Sequence, residues 1–131
     1  MTPTERTAPE IVCLVDDDSA VLKSLGRLLA SEGLVARAFE KPKDFLAHIR
    51  SHTVQVVVLD VLMGEMSGLE VQAQVSGISP GTRVIVITGR EDPKAKEAAL
   101  QAGAVGFFSK PFDDSQFLGA VRGALACRSS G

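Results

Sequence analysis

The chain has 131 residues, of which 45% are hydrophobic and 23% charged, and its formal net charge is −2. We therefore expect one compact domain and no second one, and the scattered lysines and arginines argue against direct nucleic-acid binding. Neither a signal peptide nor an apolar run of ~20 residues is apparent, so a cytoplasmic protein without a membrane span is expected.

Five apolar runs predict β-strands, at 11 to 16, 35 to 39, 54 to 60, 83 to 88 and 104 to 109. The first, third and fourth are continuous Val/Ile/Leu stretches, typical of parallel strands that are covered by helices on both faces. The second, VARAFE, alternates in polarity and suits an exposed edge strand.

Helical stretches follow each of these runs. Their start and stop signals are Gly33 after the first helix, Pro42 and Asp44 opening the second, Ser67 the third, Asp92 and Pro93 the fourth, Gly103 ending it, and Asp113 or Asp114 opening the last. This alternation predicts a doubly wound (βα)₅ α/β fold of the flavodoxin-like type, with a parallel five-stranded sheet in the order 2-1-3-4-5.

Polar residues follow four of the strands at their carboxyl ends, where ligands bind in open α/β sheets. They are Asp16, Asp17 and Asp18 after the first strand, Asp60 after the third, Thr88 after the fourth and Lys110 after the fifth. In the predicted order the first and third strands are neighbours, so their carboxylates should lie close together. Since clustered carboxylates need a counter-charge, we expect a Mg²⁺ site here.

Other potential ligands form no such pattern. Cys13 and Cys127 are too few and too far apart for a metal knuckle or a redox pair, so free thiols are predicted. His48 and His52 have the i, i+4 spacing of zinc ligands but lack a third ligand, which favours a solvated helix face. Asp18 is expected to cap the first helix.

The segments VDDD, LDVLMGEMSG, VITG and FFSKPF, each at the end of its own strand, resemble the receiver domain of bacterial two-component response regulators. The resemblance covers about residues 10 to 126, which leaves 1 to 9 as a flexible N-terminal tail and 127 to 131 as a C-terminal tail or the start of a linker. VITG and KPF are closest to receivers of LuxR/FixJ-type transcriptional regulators.

This resemblance implies that Asp60 accepts a phosphoryl group from a sensor histidine kinase, forming an aspartyl phosphate. Mg²⁺ would be held by Asp17, Asp60 and the backbone carbonyl of Leu62, with Asp16 acting through a coordinated water. Such a protein catalyses only its own phosphorylation and dephosphorylation, so it is not expected to be an enzyme in the usual sense.

The remaining motif residues take roles in charge neutralisation and switching. Lys110, aimed by a cis bond to Pro111, would neutralise the phosphoryl oxygens, and Thr88 would sense them while Gly89 leaves room. Phe107 would turn inward when the threonine moves. The expected output is a changed partner surface, through a phosphorylation-dependent homodimer, an effector domain or a downstream protein.

One departure from the family and two alternatives bear on this reading. Gly64 follows Met63 where most relatives carry proline, so the loop should be less pre-organised. A degenerate receiver that serves as a protein-binding module stays open, with Gly64 as its candidate lesion. A haloacid-dehalogenase-like phosphatase also stays open, since Asp16 and Asp18 have its Asp-x-Asp spacing, although the chain length and Asp60 argue against it.

Overall fold

Strands and helices alternate along the whole of residues 10–64 and 66–126, which the computed structural model describes. The elements are β1 (Ile11–Val15), α1 (Ser19–Ala30), β2 (Val35–Phe39), α2 (Pro42–Ile49), β3 (Val56–Asp60), α3 (Gly68–Ile78), β4 (Arg83–Thr88), α4 (Pro93–Gln101), β5 (Gly106–Ser109) and α5 (Asp114–Ala126). The predicted tails, at 1 to 9 and 127 to 131, lie outside the described residues, as does Cys127.

The five strands form one parallel sheet in the order β2-β1-β3-β4-β5, which confirms the predicted topology. Val15 of β1 pairs with Leu59 of β3, and Leu59 pairs with Val86 of β4. The carboxyl ends of the three central strands are thereby aligned at one edge of the sheet, which is where the polar residues begin.

The sheet is sandwiched between two layers of helices. Because side chains alternate along a strand, Val12 and Leu14 of β1 pack with the buried residues of α1 and α5, whereas Cys13 and Val15 pack with those of α2, α3 and α4. This two-sided burial explains the continuous apolar runs of the central strands. The edge strand β2 is largely exposed, as its alternating sequence predicted.

Glycine and capping signals place most helix ends as expected. Gly33 and Gly103 follow α1 and α4 with φ of 78° and 104°, a left-handed conformation that glycine adopts readily. The Asp18 side chain accepts a hydrogen bond from the Ala20 N–H and caps α1, while Ser67 and Glu70 form a reciprocal capping box at the start of α3.

Three predicted strand limits were too wide. β1 ends at Val15, before Asp16, whose carboxylate turns back to accept the N–H of Asp18. β3 begins at Val56 instead of 54, since the Val54 carbonyl accepts a hydrogen bond from the Thr82 hydroxyl. β5 begins at Gly106 instead of 104 because the Ala104 N–H is used to close the end of α4 on the Ala99 carbonyl.

Cys13 lies in β1 and His48 in the last turn of α2, but His52 does not share that helix as predicted, because α2 ends at Ile49. Cys13 is a buried free thiol, and burial raises its pKa to about 11. The rings of His48 and His52 stack with centroids 4.1 Å apart, and within the described residues neither belongs to a group of three potential metal ligands. No helix in that part of the chain is long and apolar enough to cross a membrane.

Candidate functional site

Three carboxylates lie together at the carboxyl edge of the sheet. Asp16 and Asp17 follow β1, and Asp60 is the last residue of the neighbouring strand β3. One oxygen atom from each of the three side chains lies within 4.8 Å of the others. The strand order therefore brings Asp16, Asp17 and Asp60 together, at the place where the sequence predicted a cation site.

This cluster is electrostatically unfavourable without a cation. Asp16 and Asp60 are 1% and 5% exposed, whereas Asp17 is open to solvent. Burial, and then the negative charge of Asp16, raise the pKa of Asp60 to about 6, against the opposing effect of the Lys110 ammonium. Oδ1 of Asp60 is buried and accepts no hydrogen bond within the described residues. A buried carboxylate oxygen without a donor fits a hard cation.

Asp16 is held from two sides. Its Oδ1 accepts the N–H of Asp18 at 2.9 Å, and its Oδ2 lies 3.4 Å from Nζ of Lys110. Lys110 belongs to the segment after β5, and its backbone N–H donates to the Thr88 carbonyl at 2.8 Å. The bond between Lys110 and Pro111 is cis. The lysine thus reaches the acidic cluster from across the sheet.

Thr88 lies on β4 and Phe107 on β5, the two strands on one side of β3. Thr88 ends β4 and is 1% exposed, and its hydroxyl oxygen accepts the Arg90 N–H at 3.4 Å. Phe107 of β5 pairs with Val86 of β4 and packs, half-buried, against the core layer of α2, α3 and α4. Thr88 itself pairs with Ser109, two residues after Phe107.

Two other predicted residues lie at the margin of the cluster. The Asp18 side chain caps α1 and is not among the three clustered carboxylates. Leu62 follows Asp60 by two residues, and its side chain is 55% exposed beside the site.

Two glycines after β3 make contacts that the sequence reasoning missed. The Gly64 N–H donates a hydrogen bond to Oδ2 of Asp17 at 3.1 Å. At Gly68, the first residue of α3, a Cβ atom would lie 2.3 Å from the carbonyl oxygen of Asp60. The presence of glycine directly after the Ser67 cap was a usable signal for close backbone packing, whereas nothing local indicated the contact of Gly64.

Two surface grooves share Pro111 and Phe112, the two residues that follow Lys110. One, of about 420 Å³, lies between α1 and the start of α5 and includes Ala20, Lys110 and Phe112 among its lining residues. The other, of about 560 Å³, lies between α4 and α5 and is lined partly by Phe107 and Phe112. Since Lys110 lines the first groove, the acidic cluster borders that groove.

Comparison with known proteins gives a consistent result. The family described as the response regulator receiver domain matches residues 12–122. The response regulator protein TodT of Pseudomonas putida is 40% identical over 115 residues, which are 88% of this chain and 51% of TodT. The DNA-binding transcriptional regulator NtrC of Salmonella typhimurium is 36% identical over 116 residues, which are 88% of this chain and 25% of NtrC.

Solved structures share the fold at similar identity. The crystal structure of FixJ-N superposes with a TM-score of 0.86 and 31% identity, covering 95% of this chain and 100% of that one. The beryllofluoride-activated NtrC4 receiver domain dimer gives a TM-score of 0.84 and 30% identity over 88% of this chain and 96% of that one. This chain spans about half the length of TodT and a quarter of that of NtrC.

Proposed function

Because this chain belongs to the response regulator receiver domain family, we propose that it accepts a phosphoryl group on Asp60 from the phosphohistidine of a sensor histidine kinase. The observation that carries the proposal is the environment of Asp60: a buried carboxylate at the end of the central strand, with one oxygen lacking a hydrogen-bond donor and two further carboxylates beside it. An oxygen of Asp60 forms the new bond to phosphorus as the phosphorus–nitrogen bond to histidine breaks.

Asp17, Asp60 and the backbone carbonyl of Leu62 are proposed to hold Mg²⁺, with Asp16 acting through a coordinated water. The oxygen-only donor set and its negative charge support this assignment. Bound Mg²⁺ supplies positive charge that neutralises the transferring phosphoryl oxygens.

Lys110 is proposed to contribute a second positive charge to the phosphoryl group. Its ammonium lies 3.4 Å from Asp16, so it needs little movement to contact an oxygen of a group attached to Asp60. Thr88 is proposed to donate its hydroxyl hydrogen to another phosphoryl oxygen. Its oxygen now accepts the Arg90 N–H, and this acceptance leaves the hydroxyl hydrogen available.

The proposed output is a shift in the population of two surface arrangements. Movement of Thr88 toward the phosphoryl group makes room for Phe107, which lines the groove between α4 and α5. The changed surface would form a phosphorylation-dependent homodimer, or contact an effector domain or a downstream protein. The dimeric state of the activated NtrC4 receiver supports the first of these outputs.

We further propose that residues 10 to 126 are the receiver and that 127 to 131 begin a linker or tail. Control of transcription through a LuxR/FixJ-type regulator is the finer assignment, which the superposition on FixJ-N supports. NtrC, a transcriptional regulator, matches as well. Both similarities favour transcriptional control as the output.

The test is incubation with acetyl phosphate and Mg²⁺, followed by mass spectrometry of the intact protein. We expect one phosphoryl adduct on the wild-type chain, dependent on Mg²⁺ and absent from Asp60→Asn. An adduct that persists in Asp60→Asn would contradict the proposal and favour a phosphatase with a nucleophile at Asp16. A folded wild-type chain with no adduct would favour the degenerate, protein-binding receiver.

A further inference from the structure

The hydrogen bond between Gly64 and Asp17 joins two loops of the site. The donor lies in the loop after β3 and the acceptor in the loop after β1, 47 residues apart in sequence. Asp17 is exposed, unlike Asp16 and Asp60. Without a restraint, repulsion from the two buried carboxylates favours rotation of the Asp17 side chain toward solvent, away from the cluster.

We infer that Gly64 is a positioning residue for the divalent cation, acting through its backbone N–H on the Asp17 carboxylate; this inference rests on the proposed function. A carboxylate has about four lone-pair sites, so one N–H leaves acceptor capacity for a cation. Carboxylates that bind metals are commonly hydrogen-bonded in turn, and loss of such a partner typically costs about 10- to 100-fold in metal affinity or activity.

The amino acid at position 64 decides whether this contact exists. Proline has no backbone N–H. A receiver that carries the usual proline at this position therefore lacks the donor. Glycine therefore gives up the rigidity of a proline ring and gains a hydrogen bond to a carboxylate of the site. The backbone of this loop is less pre-organised than with proline, but the hydrogen bond to Asp17 orients the carboxylate that is proposed to bind the cation.

Alanine at position 64 is a matched control for the donor. Among the described residues, the added Cβ would meet only Oδ2 of Asp17, at the ordinary contact distance of 3.9 Å. Gly64 is not among the glycines with positive φ, so alanine can adopt its backbone conformation. Gly64→Ala keeps the N–H and reduces backbone freedom, whereas Gly64→Pro reduces backbone freedom and removes the N–H.

The experiment is a Mg²⁺ titration by calorimetry of the wild type, Gly64→Ala and Gly64→Pro, with no phosphodonor present. We expect Gly64→Ala to bind like the wild type and Gly64→Pro to bind about tenfold more weakly. Equal or tighter binding by Gly64→Pro overturns the inference, and so does an equal loss in Gly64→Ala. If the wild type itself binds no Mg²⁺, the proposed cation site fails as well, so the two failures are distinguishable.

Amide hydrogen exchange gives a second readout that does not require the proline variant to fold. We expect the Gly64 amide to be protected in the wild type, to lose that protection in Asp17→Ala, and to keep it when Mg²⁺ is added to the wild type. Loss of protection on adding Mg²⁺ would mean that the N–H competes with the cation, and the inference would be overturned.

Discussion

Asp60 lies in an environment that disfavours its charged form. Its pKa is raised from 3.8 to about 6, first by burial and then by the charge of Asp16. The folded state therefore binds the proton more tightly than the unfolded state does. Between these two pKa values the free energy of unfolding falls as pH rises, and above pH 6 the whole penalty is present.

Asp60→Asn should accordingly stabilise the chain in the absence of Mg²⁺. The pKa difference corresponds to a penalty on the order of 3 kcal/mol in the free energy of unfolding. Asparagine carries no charge, so the variant avoids part of this penalty. We expect a higher free energy of unfolding at pH 7.5, measured by urea denaturation in EDTA, and little gain near pH 4. Glu91 is exposed, so Glu91→Gln is the control for the loss of one negative charge. An Asp60→Asn chain no more stable than the wild type at pH 7.5 would contradict this account.

At the scale of single elements, the start of α3 is packed unusually closely on the end of β3. A Cβ at Gly68 would lie 2.3 Å from the Asp60 carbonyl oxygen and 2.9 Å from its carbonyl carbon. Both atoms belong to the backbone, so neither can move without displacing the strand that carries Asp60. The glycine thus helps to set the position of the proposed phosphoacceptor.

Gly68→Ala should therefore destabilise the fold, by about 1 to 3 kcal/mol as for other overpacked sites. Gly77 lies in the same helix, and in the described part of the chain an added Cβ there meets no atom within 4 Å apart from its chain neighbours and the helix's own backbone. Gly77→Ala should stabilise the chain by about 0.5 to 1 kcal/mol through helix propensity. Urea denaturation of the two variants measures both effects. If the two variants changed the free energy of unfolding in the same direction and by similar amounts, close packing at Gly68 would not determine the effect of an added Cβ there.

The elements differ in how far their sequences predict them. The central strands and strand order were predictable because two-sided burial leaves an unbroken apolar run, as in β1 and β3. The starts of β3 and β5 were missed because they depend on hydrogen bonds made elsewhere: that of Thr82 to the Val54 carbonyl, and that of the Ala104 N–H to Ala99. Strand propensity carries no information about such partners.

The site shows the same division. Its charged and hydroxyl residues could be found because each follows an apolar run, and parallel strands bring those ends to one edge. The contact of Gly64 with Asp17 could not, because it depends on the folded positions of two loops that are 47 residues apart. Gly64 drew notice in the sequence only as a departure from proline, and its donor role follows from tertiary structure alone.

For the whole molecule, the site and the cores are parts of one sheet. Asp60 ends the central strand, which contributes Val56 and Val58 to one core layer and Val57 and Leu59 to the other. Cation binding that relieves repulsion at Asp60 should therefore stabilise both layers together. A probe that is buried within the same sheet and is not one of the carboxylates can report this coupling.

Cys13 is such a probe, since its thiol is 1% exposed within β1 and burial raises its pKa to about 11. Both effects suppress attack by the thiolate, so alkylation should proceed only through unfolding of the sheet. In a Cys127→Ser background, we expect iodoacetamide to label Cys13 rapidly in urea and very slowly in buffer.

Mg²⁺ at ten times its Kd should slow the labelling of Cys13 about elevenfold, because binding to the native state lowers the unfolded population by that factor when unfolding is in rapid equilibrium. The rate of adduct formation, followed by mass spectrometry, measures this coupling, and the magnesium-independent rate in urea controls for reagent quality. Two results would contradict this account: rapid labelling in buffer by a chain with intact circular dichroism, or a labelling rate that Mg²⁺ leaves unchanged. Either result would mean that β1 opens locally and that the acidic site and the core do not unfold as one unit.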